Sequence, residues 1–264
     1  MKILVCIKAV PEHDIFTGKD APEISPEISL EINIDDSADM RMNRFDEFAV
    51  EEAVLIKESF PKTIVDIITM GPENAQKIIK RAIGMGADSG IHILSDYHTS
   101  CDAVIVSSNI AEVAKEKNYD LVLCGIMSED MMQFSVGPML AQRLGLPWTT
   151  SVINTSIEPN HQKIRIDQEL EGGVKAIFDI TLPALLTIQS GINDPRYPTL
   201  SNLLRANKSR ITIITTDTLQ PPESPCRTAG YAYPEKKRDG RIIDGTPKEK
   251  AKQLVQILHE KSLI

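Results

Sequence analysis

The chain has 264 residues, enough for one large α/β domain with an appended segment, and its 42% hydrophobic and 25% charged residues are typical of a globular protein. Its net charge of −8 argues against nonspecific binding of nucleic acid, which requires a basic surface. No apolar run approaches the ~20 residues that a membrane-spanning helix needs, which argues against an integral membrane protein.

Short β-branched runs alternate with helical patterns over the first two-thirds of the chain. Strands are predicted at residues 2–9, 63–70, 91–94 and 120–124. Helices are predicted at residues 47–58, 73–83, 101–117 and 136–144. Strands separated by helices of about 10–15 residues form βαβ units, so the pattern predicts an α/β fold with a mainly parallel, doubly wound sheet.

The pattern changes in the later part of the chain. Two β-branched runs, at residues 163–170 and 174–180, flank Glu171-Gly172-Gly173, and this arrangement predicts a hairpin. The patterns that follow are a strand at 183–189, an irregular stretch at 190–204 and a β-branched run at 211–214. We therefore expect the parallel sheet to be extended by antiparallel strands.

The C-terminal part differs from the rest in composition. Residues 220–234 contain four prolines, which predict an arm rather than a packed element. Thr246-Pro247 predicts the N-cap and first position of a last helix that ends near residue 259. We divide the chain into an α/β nucleotide-binding domain at residues 1–219 and a C-terminal arm and helix at residues 220–264, which we expect to pack on a partner chain.

The N-terminus and the cysteines indicate a reducing compartment. Met1–Ile7 is a short apolar run without a small-residue cleavage site, so we interpret it as a buried strand rather than a signal peptide. The four cysteines are widely spaced and contain no C-x-x-C pair: Cys6, Cys101, Cys124 and Cys226. This spacing provides neither a disulfide framework nor a zinc site. We expect a cytoplasmic, prokaryotic protein without a metal site.

Ligands of an open parallel sheet bind beyond the carboxyl ends of its strands, near the point where the strand order reverses. The candidate ligand-facing peptides are Cys6–Ala9, Met42–Phe45, Met70–Pro72 and the segment from Gly125. Glycine at Gly71 and Gly125 permits close approach to the backbone. Ser135 and Gly137, at a helix start, offer a hydroxyl and N–H groups to a phosphate. The carboxylate of Asp130 could accept a hydrogen bond from a ribose hydroxyl. A nucleotide site and a set of plain turns both remain open here.

The common catalytic and phosphate-binding motifs are absent from the sequence. The chain contains no G-x-G-x-x-G and no G-x-x-x-x-G-K sequence, and Gly84-Met85-Gly86 is typical of a helix C-cap. The five histidines lack metal-ligand spacing, and His92, in an apolar run, is expected in the core. Because no acid, base and nucleophile form a catalytic set, any redox or group-transfer chemistry belongs to a bound cofactor.

Six segments carry motifs that occur together in one family. They are Asn43–Ala53 (N-R-F-D-E-F-A-V-E-E-A), Arg81–Asp88, Asp120–Gly125, Glu169–Gly173, Leu182–Thr187 and Asn193–Leu200 (N-D-P-R-Y-P-T-L). In this order they resemble the motifs of the electron transfer flavoprotein beta subunit. The resemblance extends over essentially the whole chain.

This resemblance implies the small subunit of an αβ heterodimer, with a Rossmann-like sheet of the adenine nucleotide alpha hydrolase-like kind. Its family accepts electrons from flavin dehydrogenases, such as acyl-CoA dehydrogenases, and passes them toward a quinone oxidoreductase. The alpha subunit carries the redox-active FAD, whereas the small subunit holds AMP without redox function. The chain is then an electron-carrier subunit and not an enzyme.

The resemblance also implies which residues meet each ligand or partner. Those that contact the nucleotide are Cys6, Ile7, Lys8, Ala9, Asn43, Arg44, Phe45, Asp46, Met70, Gly71, Gly125, Ile126, Met127, Asp130, Gln133, Phe134, Ser135, Val136 and Gly137. A recognition segment, residues 190–204, docks the dehydrogenase around an anchoring leucine. The docking residues are Tyr197, Leu200, Leu203 and Arg205. Glu169 matches a carboxylate directed toward the flavin domain of the alpha subunit.

The loop Asp130–Gly137 departs from the family pattern. Electron-bifurcating relatives, whose small subunit binds a second FAD, have D-G-D-T-A-Q-V-G here, but this chain has Met131 and Met132 in place of Gly-Asp and Ser135 in place of Gln. We favour AMP, because methionine is bulkier than glycine where a backbone approaches a phosphate. The alternative is a bifurcating subunit whose own FAD oxidises NADH. An alternative of another class is an adenine-nucleotide-hydrolysing α/β protein.

Overall fold

The computed structural model describes residues 1–12, 39–96, 102–219, 223, 240 and 242–264. Its strands are β1 (Lys2–Cys6), β2 (Ala9–Pro11), β3 (Met40–Met42), β4 (Ile64–Gly71), β5 (Ser89–Leu94), β6 (Leu121–Gly125), β7 (Trp148–Ile157), β8 (Lys163–Glu169), β9 (Lys175–Thr181), β10 (Ala184–Ile188) and β11 (Ile211–Thr215). Its helices are α1 (Arg44–Ser59), α2 (Gln76–Met85), α3 (Ala103–Ala114), α4 (Val136–Leu144), α5 (Leu200–Asn207) and α6 (Pro247–Glu260).

Nine of the described strands form one sheet, in the order β11-β5-β4-β1-β6-β10-β7-β8-β9. The neighbours from β11 to β7 are parallel, and β7, β8 and β9 are antiparallel. The predicted α/β fold with a mainly parallel sheet is confirmed. The predicted hairpin is β8–β9, and its turn uses Gly172 and Gly173, both of which have positive φ.

The central strand β1 shows why the sheet is covered on both faces. Ile3 and Val5 pack into a core formed with α1 and α2, whereas Leu4 and Cys6 pack into a second core formed with α3 and α4. Successive side chains of a strand point to opposite faces, so an uninterrupted apolar run requires helices on both sides. Five consecutive residues of the N-terminal apolar run, from residue 3 to residue 7, are accordingly buried.

The strand order reverses beside β1. The chain moves from β1 to β4 and β5 on one side, and then returns to place β6 on the other side. Ligands of doubly wound sheets bind at such a switch point, beyond the carboxyl ends of the strands. The ends of β1 and β6, at Cys6 and Gly125, therefore mark the expected ligand crevice.

The strand predicted at residues 2–9 is interrupted after Cys6. The N–H of Lys8 donates to the carboxylate of Asp46 at 2.7 Å. Residues 9–11 then form β2, which pairs antiparallel with β3 in a separate two-stranded sheet. Lys8, a half-buried charged residue between the buried Ile7 and Ala9, marks this break in the sequence.

Strand β7 was not predicted from the sequence. Its ten residues, W-T-T-S-V-I-N-T-S-I, include six with a hydroxyl or amide side chain, which hides the apolar alternation. Several of these side chains are half-exposed, because β7 begins the antiparallel extension of the sheet rather than its buried centre. Threonine is nevertheless favoured in strands, and that preference was the available signal.

The expectation of an irregular stretch at residues 190–204 was wrong in its last part. Helix α5 begins at Leu200 and continues to Asn207. Thr199 is its N-cap, and the hydroxyl oxygen of Thr199 accepts a hydrogen bond from the N–H of Asn202 at 3.3 Å. The predicted anchoring residue Leu200 thus lies in the first turn of a helix and not in the middle of a loop.

The chain divides into two compact units, and the second contains α6. The predicted N-cap Thr246 is confirmed, and Pro247 occupies the first helical position. The N–H of Glu249 donates to the hydroxyl of Thr246, and the N–H of Thr246 donates in return to the Glu249 carboxylate at 2.8 Å. No residue of α6 is buried. The arm predicted at residues 220–234 lies outside the described residues except at position 223.

None of the helices in the described parts of the chain is long and apolar enough to cross a membrane. Cys101, where the third predicted helix was expected to begin, and Cys226 lie outside the described residues.

Candidate functional site

A cavity lies at the switch point of the sheet, and we call it the carboxyl-edge cavity. Its cavity volume is about 90 Å³. The predicted cofactor-binding residues that line it are Cys6, Ile7, Lys8, Asn43, Asp46, Met70, Gly125, Ile126, Met127, Gln133, Phe134, Ser135, Val136 and Gly137. The fold therefore brings most of the predicted set together from five separate segments.

Five predicted residues do not line this cavity: Ala9, Arg44, Phe45, Gly71 and Asp130. Ala9 is buried in β2 beyond the break in the first strand. Gly71 lies at the end of β4, where its carbonyl accepts a hydrogen bond from Nε2 of His92 at 2.9 Å. His92 is fully buried, as predicted, and burial lowers the pKa of its imidazole.

The other three of these residues support the cavity wall from behind. The carboxylate of Asp130 pairs with Nζ of Lys8 at 2.7 Å, so Asp130 fixes a residue that lines the cavity. The N–H of Arg44 donates to the carboxylate of Glu129 at 3.0 Å, which ties the start of α1 to the loop after β6. Phe45 packs behind Gly125.

Asp46 joins the two strand ends that flank the cavity. Its carboxylate accepts hydrogen bonds from the N–H of Lys8, just after β1, at 2.7 Å and from the N–H of Gly125, at the end of β6, at 3.0 Å. Asn43 contributes a third hydrogen bond to the Asp46 side chain. Asp46 is 4% exposed and lies in the first turn of α1, where the helix dipole favours a negative charge. It therefore connects α1, β1 and β6 at one point.

Burial raises the pKa of Asp46 to about 7, although the hydrogen bonds from Lys8, Asn43 and Gly125 and the charge of Lys8 oppose this shift. The pKa of an aspartate in the unfolded chain is ~3.9. Between about pH 4 and pH 7, therefore, Asp46 binds a proton in the folded chain but not in the unfolded chain. The resulting stabilisation is present below about pH 4 and is lost as the pH rises through about 7.

We predict that Asp46→Asn removes this pH dependence. The asparagine cannot ionise, so the free energy of unfolding of the natural protein should fall relative to that of the variant as the pH rises from about 5 to 8. Denaturant titrations of both proteins over this pH range measure the difference between their free energies of unfolding. Groups that titrate alike in the two proteins do not contribute to this difference. Parallel pH profiles would show that Asp46 does not titrate in this range.

Gly125 and Gly137 allow the chain itself to pack closely around the cavity. A Cβ at Gly137 would lie 2.5 Å from Cγ2 of Thr187, and a Cβ at Gly125 would lie 2.7 Å from Cβ of Phe45. Real Cβ atoms do not approach other atoms so closely, so a larger residue at either position would displace the wall. The sequence pattern suggested a ligand as the reason for Gly125; the structure adds the start of α1 as a second reason.

The start of α4 offers an anion site on the cavity wall. Ser135 is the N-cap but makes no side-chain cap bond; its hydroxyl donates instead to the carbonyl of Gln133 at 2.6 Å. The N–H groups in a first turn have no intrahelical acceptor, and the helix dipole makes this end positive. Val136 and Gly137, which carry such groups, both line the cavity. The arrangement suits a phosphate.

The structure adds lining residues that sequence reasoning missed: Cys124, Val106, Ile110, Ser128 and Met131. Val106 and Ile110 are one turn apart on α3 and supply an apolar wall. The prediction considered strand ends and helix starts, so residues in the middle of a helix that crosses the sheet face were not included. The apolar positions of α3 were the available signal, but core packing explains them equally well.

The two cysteines of the cavity wall are register neighbours, Cys6 on β1 and Cys124 on β6. Both are buried and free, and burial raises the pKa of each thiol well above its ordinary value. They therefore remain protonated at neutral pH and contribute small apolar surfaces rather than nucleophiles.

The predicted docking residues lie together on the surface. Tyr197 and Leu200 are 83% and 74% exposed, Leu203 is exposed at the edge of α5, and Arg205 donates to the side chain of Asn202. Leu204, which was not predicted, extends this apolar patch. Leucine side chains of this exposure on one short helix are consistent with a contact surface.

Glu169 ends β8 and is exposed, as a residue that meets another subunit would be. Its carboxylate accepts a hydrogen bond from Nε2 of Gln189 at 3.0 Å. This bond holds the carboxylate at the end of the hairpin strand, next to the exposed Leu170.

Comparison with known proteins agrees with this architecture. The electron transfer flavoprotein domain family matches residues 32–219. The chain is 33% identical over 235 residues to electron transfer flavoprotein subunit beta of Bacillus subtilis (strain 168), covering 87% of this chain and 90% of that protein. It is 31% identical to electron transfer flavoprotein subunit beta of Methylophilus methylotrophus, with 98% of each covered. It is also 33% identical to caffeyl-CoA reductase-Etf complex subunit CarD of Acetobacterium woodii, with 100% of each covered.

Proposed function

The chain belongs to the electron transfer flavoprotein family as a beta subunit, and from this premise we propose that it binds AMP in the carboxyl-edge cavity and docks a flavin dehydrogenase through Leu200. Members of this family carry electrons and are not enzymes, and a beta subunit implies an alpha-subunit partner. FAD, held in our proposal by the alpha subunit, supplies the redox chemistry. Hydrolysis of an adenine nucleotide, the alternative from another class, finds no support in this membership.

The observation that carries the nucleotide proposal is the combination of an uncapped helix start and an apolar wall in one cavity. The first turn of α4, at Val136 and Gly137, would hold the phosphate. Val106 and Ile110 would contact the adenine base. AMP has no redox-active group, so the bound nucleotide would have a structural role.

The proposed choice of AMP over a second FAD rests on the loop after β6. Met131 lines the cavity at the position where bifurcating relatives have glycine, and methionine is bulkier than glycine there. Met132 and Phe134 have positive φ, which L-amino acids with large side chains rarely adopt.

The full-length similarity to CarD favours the alternative, a bifurcating subunit with its own FAD.

We further propose how the chain meets its partners. Tyr197, Leu200, Leu203 and Arg205 would contact the dehydrogenase, and Glu169 would face the flavin domain of the alpha subunit. No residue of α6 is buried and Leu254 and Val255 are each 48% exposed, which supports packing of the C-terminal region on the alpha subunit. A quinone oxidoreductase is the proposed electron acceptor.

A cofactor count tests this proposal. We expect the purified heterodimer to release one FAD and one AMP per αβ pair after heat or acid treatment, as measured by chromatography with absorbance detection. NADH should leave the flavin of this complex oxidised. Two FADs per pair together with flavin reduction by NADH would overturn the AMP assignment and establish the bifurcating alternative.

A further inference from the structure

The segment before the docking helix is fixed to α1 by an ion pair between the half-buried Arg196 and the buried carboxylate of Glu51. Nε and Nη2 of Arg196 donate to the two carboxylate oxygens of Glu51 at 2.8–3.0 Å, and the N–H of Arg196 donates to the same carboxylate at 3.1 Å. Glu51 is only 3% exposed. Nη1 of Arg196 also donates to Glu58 at 2.6 Å. The Arg196 side chain thus bridges two acids of one helix.

A second acid of α1 holds the same segment three residues earlier. Nδ2 of Asn193 donates to the carboxylate of Glu52 at 3.0 Å and to the carbonyl of Phe48 at 3.1 Å. Glu52 is 7% exposed, and its other carboxylate oxygen accepts from the hydroxyl of Thr155 on β7. Neighbouring acids Glu51 and Glu52 therefore point in different directions, as expected on a helix, but both meet the recognition segment.

A third contact continues this attachment toward the anchoring leucine. The guanidinium of Arg81 on α2 lies over the ring of Tyr197, 5.4 Å from its centroid, and pairs with Glu47 of α1 at 2.8 Å. Glu47, Glu51 and Glu58 follow each other along one face of α1. Residues 193–197 are therefore fixed by polar contacts, and Leu200 follows three residues later.

The contacts of Glu51 and Glu52 differ from ordinary surface ion pairs, because both carboxylates are buried. A carboxylate loses its water when buried, and a bidentate arginine is the partner that best replaces that water. Removal of the arginine leaves a buried charge unpaired, so the pair resists rearrangement. The recognition segment consequently has one favoured position relative to α1, although its own apolar side chains are exposed.

We propose that Glu51, Glu52 and Arg196 are positioning residues for docking: they hold Leu200 in the place from which it contacts the dehydrogenase. This inference rests on the proposed docking function of Leu200. A leucine that is held in place before contact loses less conformational freedom on binding than one on an unrestrained loop. In this proposal Arg196 acts through Leu200, because its guanidinium is held by Glu51 and Glu58 of α1.

A double-mutant cycle on the intact heterodimer tests this proposal. The proteins are the natural complex, Arg196→Met, Leu200→Ala and the combined variant, and the readout is kcat/KM for reduction by an electron-loaded acyl-CoA dehydrogenase. We expect Arg196→Met to raise KM and leave kcat unchanged, so that kcat/KM falls about tenfold. In the Leu200→Ala background the same substitution should have no further effect on kcat/KM. Lys57→Met is the matched control: Lys57 also lies on α1, and its replacement removes an ion pair with Asp88 but should leave kcat/KM unchanged.

The outcomes separate the two proposals. If Leu200→Ala has no effect, the docking function itself is wrong. If Leu200→Ala slows the reaction but Arg196→Met does not, or if the two effects multiply, Arg196 does not act through Leu200 and the positioning role is overturned. If Arg196→Met fails to assemble with the alpha subunit, Arg196→Lys is used in the same cycle, since it keeps the charge but loses the bidentate geometry.

Discussion

Leu200→Ala should lower kcat/KM for electron transfer from the dehydrogenase by roughly 10- to 100-fold while AMP and FAD remain bound. Leu200 is 74% exposed, so nearly all of its side chain is available for burial by a partner. Full burial of a leucine side chain contributes about 1.5–3 kcal/mol, and each ~1.4 kcal/mol changes an equilibrium constant tenfold. Stopped-flow reduction of the heterodimer flavin, with the dehydrogenase concentration varied, measures this effect.

The matched control for Leu200→Ala is Ile64→Ala. Ile64 is 49% exposed but lies at the amino end of β4, at the sheet edge opposite the carboxyl-edge cavity. We expect its replacement to leave the kinetics unchanged, because an exposed side chain outside the interface contributes little. Equal kinetics of Leu200→Ala and the natural complex would contradict the assignment of the docking surface.

Gly125→Ala should abolish nucleotide retention and lower the melting temperature of the heterodimer by several degrees. The added Cβ would overlap Oδ1 of Asp46 and would lie 2.7 Å from Cβ and 2.8 Å from the backbone carbonyl carbon of Phe45. The first turn of α1 must then move away from β6, which breaks the hydrogen bond between Gly125 and Asp46. Overpacking of this kind costs about 1–3 kcal/mol, and each kcal/mol shifts the melting temperature by ~2–4 °C in a domain of this size.

Gly71→Ala provides a matched control for this substitution. Gly71 ends the neighbouring strand β4 and does not line the cavity, and a Cβ there would meet Cβ of Ala75 at an ordinary 3.4 Å. We expect this variant to melt at the same temperature as the natural protein and to retain its nucleotide. Thermal unfolding and quantification of released AMP test both variants. Retention of AMP by Gly125→Ala would show that the cavity tolerates a shift of α1.

The central sheet and the position of the cavity could be predicted because they follow from local patterns. Continuous apolar runs such as Ile3–Ile7 require burial on both faces, and the alternation with helices requires parallel strands. The carboxyl ends of such strands meet at one edge. The strand ends therefore identified the peptides around the cavity, and the family resemblance supplied most of the individual residues of its wall.

The polar contacts that hold the site together could not be predicted, because their partners are distant in sequence. Asp46 and Gly125 are 79 positions apart, and Arg196 and Glu51 are 145 positions apart. A motif identifies such residues but does not show which of them pair. Asp130 illustrates this limit: the sequence singled it out for a ribose hydroxyl but did not indicate its pair with Lys8.

Local signals also failed where tertiary packing decides the conformation. The sequence of β7 is polar enough to suggest a loop, but β10 and β8 on either side hold it as a strand. The start of α5 at Leu200 depends on one capping residue, Thr199, at the end of a stretch with two prolines. Short elements of this kind are formed mainly by their tertiary contacts rather than by their own preferences.

The most direct test of the account is an experimental structure of the αβ heterodimer as purified, with no nucleotide added. We predict density for AMP in the carboxyl-edge cavity, with its phosphate at the first turn of α4 and its base against Val106 and Ile110. Density for a flavin ring in that cavity, or a nucleotide bound elsewhere on this subunit, would contradict the account.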